Sequence, residues 1–208
     1  MLRLWAAFLA LMIAAPVTAR ADKDYDGADG GYVVYAVGNV STGMNFDFSY
    51  HRLATPDGQP VDDAKGKIEP RLGGAIYLKI KNPDFTGEES GHVVIRRIPP
   101  GHYQVDRFFF AGWNPAGGSV RWSPARPFAL PFDIRPGEAT YIGSFMRAPS
   151  LGTPLQPVLG AAGFFLVADR SQRDLAIATA RLTPGTKITS AVTDVSAFGS
   201  AALRTSLP

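Results

Sequence analysis

The sequence predicts an all-β protein, an antiparallel β-sandwich with one short C-terminal helix, and three observations predict it. Short runs of β-branched and aromatic residues recur along the chain, and one of them alternates with a period of two. Two runs end in Pro-Gly turns, at Pro100-Gly101 and Pro136-Gly137. A single segment places its apolar residues at helical spacing.

The first 21 residues, "MLRLWAAFLALMIAAPVTARA", read as a secretory signal peptide: an early Arg3, an apolar stretch from Leu4 to Ala15, a helix-breaking Pro16, and an A-x-A site at Ala19 and Ala21. The apolar stretch is about 12 residues against the roughly 20 that span a bilayer, so a cleaved leader is expected rather than an anchor. No later segment has that length of apolar residues, which leaves no transmembrane segment after cleavage. The chain has no cysteine, which removes disulfides, thiolate nucleophiles, Cys-ligated metals and a lipidated cysteine. The expected location is therefore periplasmic or extracellular, in soluble form.

Cleavage also changes the charge. Arg3 and Arg20 leave with the leader, so 21 Lys and Arg become 19 against 18 Asp and Glu, and the precursor's net +3 falls to +1. Scattered arginines at near-neutral charge lack the basic stripe that phosphate contacts require, so nucleic acid is not an expected partner. The remaining chain is long enough for one domain that buries roughly 70% of its unfolded surface.

Residues 22–30 are expected to form a flexible acidic N-terminus, and 31–185 a single β-sandwich domain. "GYVVYAVG" (31–38) is a short apolar strand between glycines. In "MNFDFSYHRL" (44–53), Met44, Phe46, Phe48 and Tyr50 alternate with polar residues, the pattern of a half-buried strand. A loop rich in turn formers follows (54–71), then a strand, "GGAIYLKIKN" (73–82), and a second loop (83–91). "HVVIRRI" and "HYQVDRFFF" flank Pro99-Pro100-Gly101-His102, a sequence suited to a type II turn with positive φ at Gly101, and are expected to pair as a hairpin from that turn. Arg135-Pro136-Gly137-Glu138 repeats the device between "FALPFDI" and "ATYIGSFM".

"RAPSLGTPLQPVLGAAG" (147–163) holds too many helix and strand breakers for a regular element, and "FFLVAD" after it is a short buried strand. The helix is predicted over 171–182, with Ser171 and Asp174 resembling a capping box and Leu175, Ala178 and Leu182 on one face. The small, polar segment 186–208 is expected to be partly disordered.

"IPPGHYQV", the aromatic strands after it, "PFDIRPGEATYIGSF" and "DRSQRDLAIATARLTPG" together resemble a group of uncharacterised bacterial exported proteins and lipoproteins. Their domain is similar to transthyretin-like or carboxypeptidase-regulatory-like β-sandwiches, an immunoglobulin-like architecture. The resemblance covers roughly residues 73–185 and rests on the Tyr-Ile-Gly strand and the Arg-Asp-Leu helix more than on the common Pro-Gly turns. The lipoprotein members carry a cysteine after the leader, which this chain lacks. The resemblance implies a fold and a compartment and no activity.

Motifs for catalysis are mostly missing: there is no G-x-S-x-G, S-x-x-K or H-E-x-x-H. His51, His92 and His102 are far apart in sequence, and strands pairing from the Pro-Gly turn would hold His92 and His102 some 25 to 30 Å apart at ~3.3 Å per residue, so no shared metal is expected. Asp22, Asp24, Asp26 and Gly27 match the start of a calcium loop, but Asp29 and Val33 stand where an apolar residue and a bidentate Glu are needed, so no cofactor or metal is expected. Asn39 opens the sequon "NVS". The remaining candidate is "AGWNPAGGSVRWSPARPF" (111–128), read as a loop presenting Trp113, Arg121 and Trp122 to a sugar ring or a protein partner, with core packing as the competing role for the tryptophans. The expected function is a non-catalytic envelope binding or accessory module, its partner an envelope protein or polysaccharide. The alternatives are a structural component packed against an envelope protein and, more remotely, a hydrolase.

Overall fold

The computed structural model describes residues 25–40, 45–61, 65–68, 82–113, 119–122, 127–148, 164–198 and 203–206. They form a β-rich fold of two sheets with one α-helix. The leader (1–21), Asp22 and Asp24 of the calcium-like stretch, nearly all of the strand predicted over 73–82, and most of 147–163 lie outside the described residues.

The first sheet contains β1 (Gly31–Val40), β4 (Glu89–Ile98), β8 (Ala139–Ala148), β9 (Phe164–Ala168), β10 (Ile188–Ser190) and β11 (Leu203–Arg204). Its order is β11-β9-β8-β1-β4, with β10 also on β8. The second contains β2 (Asn45–Ala54), β3 (Lys65–Ile68), β5 (Gly101–Trp113), β6 (Ser119–Trp122) and β7 (Leu130–Ile134), ordered β3-β2-β5-β6 with β7 on β5. The second sheet is antiparallel throughout. The first is mixed, which corrects the all-antiparallel expectation: β1 and β8 run parallel, as do β10 with β8 and β11 with β9.

The physical reason lies in the Pro-Gly turns. Neither closes a hairpin within a sheet; both carry the chain from one sheet to the other, β4 to β5 and β7 to β8. Gly101 has the expected positive φ, but at +152° it opens strand β5 instead of occupying the third position of a type II turn. Pro99 is held by the Tyr103 hydroxyl, which donates to its carbonyl at 2.7 Å, and Arg52 of the second sheet donates to the carbonyl of Pro100. Arg135–Glu138 does close as a turn, with Glu138 N–H on the Arg135 carbonyl at 3.2 Å and Gly137 at φ +68°.

One apolar cluster takes residues from both sheets. Tyr35, Val37, Phe145 and Phe165 of the first meet Tyr50, Tyr103, Phe108 and Phe132 of the second. Phe108 and Phe165 join edge to face with ring centroids 4.4 Å apart, and Tyr103 stacks on Phe132 at 5.3 Å. The outer face of the first sheet carries a second cluster, Val34, Ala36, Tyr141, Met146 and Leu166, beneath Ala178 and Leu182. A sheet covered on both faces leaves no polar side to its central strands, which is why "GYVVYAVG" and "ATYIGSFM" read as continuous apolar runs. β7 buries alternate residues only, the period-2 signature of a strand with one wet face.

Helix α1 (Ser171–Thr179) is shorter than the predicted 171–182, although the N–H groups of Arg181 and Leu182 still bond to the Ala178 carbonyl. The capping box does not form. Ser171 is already the first helical residue, its N–H bonds to the Asp169 carboxylate at 2.8 Å, and Asp174 turns inward to the sheet. The segment after 185, expected to be partly disordered, adds β10 to the first sheet, a 3-10 turn at Val195–Phe198 and β11. Val195 and Leu203 are buried and anchor it, isolated apolar residues that its small, polar composition conceals. The N-terminal 25–30 is likewise tied down, by Tyr25 N–H to the Arg97 carbonyl at 3.0 Å and by Arg97 Nη1 to the Tyr25 carbonyl at 2.9 Å. No helix of the described residues is long and apolar enough to cross a membrane.

Candidate functional site

The expected site residues fall on two strands instead of a loop. Backbone pairing runs without a break from Phe110↔Trp122 through Ala111↔Arg121 to Trp113↔Ser119, so Trp113, Arg121 and Trp122 lie on the paired strands of the β5–β6 hairpin. Trp113 and Arg121 have the same parity in this register and Trp122 the other. Among the described residues, β6 is an edge strand of the second sheet.

At the end of the first sheet, β1 and β8 pair Asn39 with Arg147. Both are buried, on the face they share with Val37 and Phe145 by alternation. Burial lowers the Arg147 guanidinium to about 10. Among the described residues, the Asn39 amide has no hydrogen-bond partner. A residue buried between the sheets is no acceptor for a glycan, which removes the sequon reading of Asn39.

The histidines stay separate, each beside its own carboxylate: His51 with Asp106 at 3.4 Å, His92 with Asp84 at 3.7 Å and His102 with Asp133 at 2.7 Å. The hairpin once expected to separate His92 from His102 does not exist; they lie on strands of different sheets. No group of three or more His, Cys, Asp or Glu that could hold a metal occurs among the described residues.

Sequence reasoning missed the polar lattice between helix and sheet. Glu89 at the start of β4 receives Arg170 at 2.9 Å and Arg173 at 2.6 Å. Arg173 also binds Asp174 at 2.8 Å, donates to the Ser144 hydroxyl at 3.1 Å, and lies 3.6 Å over the Phe85 ring. The Tyr141 hydroxyl donates to Asp174 at 2.7 Å, and burial, reinforced by that carboxylate, raises its pKa. Farther along, Arg181 grips Asp84, whose carboxylate also accepts the Val93 N–H at 2.8 Å. The only legible signal was "DRSQRDLAIATARL", whose arginines and aspartates recur where a plain amphipathic helix needs none on its buried side. Chemically, this lattice fastens α1 to β4 and β8, and its charges are spent on one another.

A pH dependence follows. The hydrogen bond from Arg181 holds the Asp84 carboxyl below the usual range. Burial pulls Glu89 upward, but the hydrogen bonds from Arg170 and Arg173 outweigh it and leave its pKa lowered. Carboxyls with depressed folded pKa values contribute stability that is present above their unfolded pKa, about 4, and lost as pH falls through the folded value. Urea midpoints measured from pH 7 down to pH 3 are expected to drop below about pH 4. Glu89→Gln should shallow that drop, and an unchanged slope would show that the lattice does not set it.

Comparison with protein-family models, with curated proteins and with solved structures gives no match for this chain.

Proposed function

We propose that this chain is an exported, non-catalytic binding or accessory module of the bacterial cell envelope, a transthyretin-like or carboxypeptidase-regulatory-like β-sandwich that holds an envelope polysaccharide or protein through its β5–β6 hairpin. The observation that carries the reading is the register of that hairpin, which sets Trp113 and Arg121 at one parity beside an edge strand. An aromatic residue and a guanidinium in that relation suit stacking on a sugar ring or anchoring a protein contact. The sandwich is supported by the core shared between the two sheets, and export by the leader-like first 21 residues. The non-catalytic part is supported by the lattice, whose carboxylates, among them the buried Asp174, and guanidiniums are committed to fixing the helix.

The test uses the exported protein, whose N-terminus should be Asp22, against immobilised envelope polysaccharides and envelope protein extracts. Trp113→Ala and Arg121→Ala are expected to cost more than about 2 kcal/mol of affinity for the captured partner, with stability within about 0.5 kcal/mol of the parent. Undiminished capture by both variants would overturn the hairpin as the binding surface.

A further inference from the structure

Helix α1 belongs to a segment whose two ends are fastened to one strand. Ala168, the last residue of β9, pairs with Ser144 of β8, and Ile188, the first residue of β10, pairs with Ala139 of β8. That backbone pairing does not involve the helix, so residues 169–187 can lift from the sheet without unpairing any strand. What holds the segment down is largely charge. Within α1 the buried residues are Asp174 and Ala178, a carboxylate and the smallest of the apolar side chains, while Leu175 and Ile177 are only partly buried against the outer cluster. Leu182, just beyond the helix, adds one buried aliphatic chain. A helix with so little apolar surface in the core depends on its ion pairs for docking far more than the strands beneath it do.

The ion pairs are divided between the two sides in a telling way. Arg170, Arg173 and Arg181 all belong to the segment, whereas two of their anions, Glu89 on β4 and Asp84 in the loop before it, belong to the sheet side. Asp174 pairs with Arg173 within the helix itself. The other polar groups facing this clasp are His92, 3.7 Å from Asp84, Asp169, which accepts the Ser171 N–H, and the hydroxyls of Tyr141 and Ser144. The hydrogen bond from Arg181 lowers the Asp84 pKa and His92 adds to the lowering; burial pulls Glu89 upward, and Arg170 and Arg173 outweigh it. Both carboxylates therefore favour the docked helix above about pH 4, and that contribution is lost as pH falls through their lowered values. Once they are neutral, the three arginines keep their charge and lose their anions on the sheet side. The aromatic and aliphatic core between the sheets is indifferent to that titration.

We infer that the α1 segment is an acid-released cover: neutralising Asp84 and Glu89 lets residues 169–187 lift from the first sheet while both sheets stay folded, baring the outer apolar face of Val34, Ala36, Tyr141, Met146 and Leu166. The device lies on a different sheet from the β5–β6 hairpin and does not depend on it. Hydrogen exchange of the whole protein, read by mass spectrometry at about pH 6.5 and about pH 3.5 and corrected for the intrinsic exchange rate at each, tests it. Protection of α1 is expected to fall more than about 10-fold at the lower pH, while β1 and β8 keep theirs. The double variant Asp84→Asn with Glu89→Gln should show the acid level of α1 protection already at about pH 6.5, again with β1 and β8 unchanged. Should that variant not fold, the parent protein at the two pH values still decides the matter. Loss of protection in α1, β1 and β8 together, undiminished protection of α1 at about pH 3.5, or a folded double variant whose α1 is as protected as the parent's would overturn the cover.

Discussion

Asp174→Ala is expected to lower the stability of the fold by about 3–5 kcal/mol, the largest single effect at any charged position described above. The Asp174 carboxylate is fully buried and accepts from the Tyr141 hydroxyl and from Arg173 Nε. Its removal leaves a buried phenol without an acceptor and a guanidinium without one of its two anions, and each loss costs more than the net worth of the bond that was made. Tyr141→Phe takes away only the donor. Asp174 then keeps Arg173, and a loss of about 1–2 kcal/mol is expected. Urea denaturation of both variants measures the difference; a cost below about 1 kcal/mol for Asp174→Ala would mean that water enters the site and serves both orphans.

Gly101→Val is expected to cost more than about 3 kcal/mol, because two penalties coincide there. The backbone sits at φ +152°, which L residues rarely adopt, and a Cβ would overlap the carbonyl oxygen of Ala54 on the neighbouring strand. That strand cannot retreat easily, since Ala54 pairs with His102 next to an irregularity in the β2–β5 register. Gly137→Ala supplies the contrast. Its φ of +68° is left-handed but nothing lies within 4 Å of the added carbon, so only the backbone cost of about 1–2 kcal/mol is expected. If the two variants shift the thermal midpoint equally, the close approach to Ala54 contributes nothing.

These two positions also show how far the residues announced the structure. Pro-Gly chemistry fixed where the chain changes direction and that Gly101 needs positive φ, because both are local properties. It could not say whether the next strand pairs with the last or crosses to another sheet, because that depends on which faces are covered. The continuous burial of β1 and β8, against the alternation in β7, held that information, but a short apolar run is compatible with several architectures. Asp174 illustrates the converse failure. Its position three residues after Ser171 matched a local capping pattern, and the long-range Tyr141 hydroxyl and Arg173 pulled the carboxylate elsewhere. Trp113, Arg121 and Trp122 were recognised by composition, yet a Gly- and Pro-rich stretch concealed that their backbones belong to paired strands.

The parallel pairing of β1 with β8 has a kinetic side. Tyr32 meets Ala139 and Asn39 meets Arg147 across roughly 100 positions of chain, and because both Pro-Gly turns change sheets, neither turn brings β1 and β8 together locally. Loop-closure entropy is lost before the central strands gain any packing, which places such a topology among slow folders, in the millisecond to second range or beyond. A chain that collapses late remains threadable for longer. Under the proposed export, in which the chain would cross a membrane unfolded, the strand order then serves the journey as well as the destination.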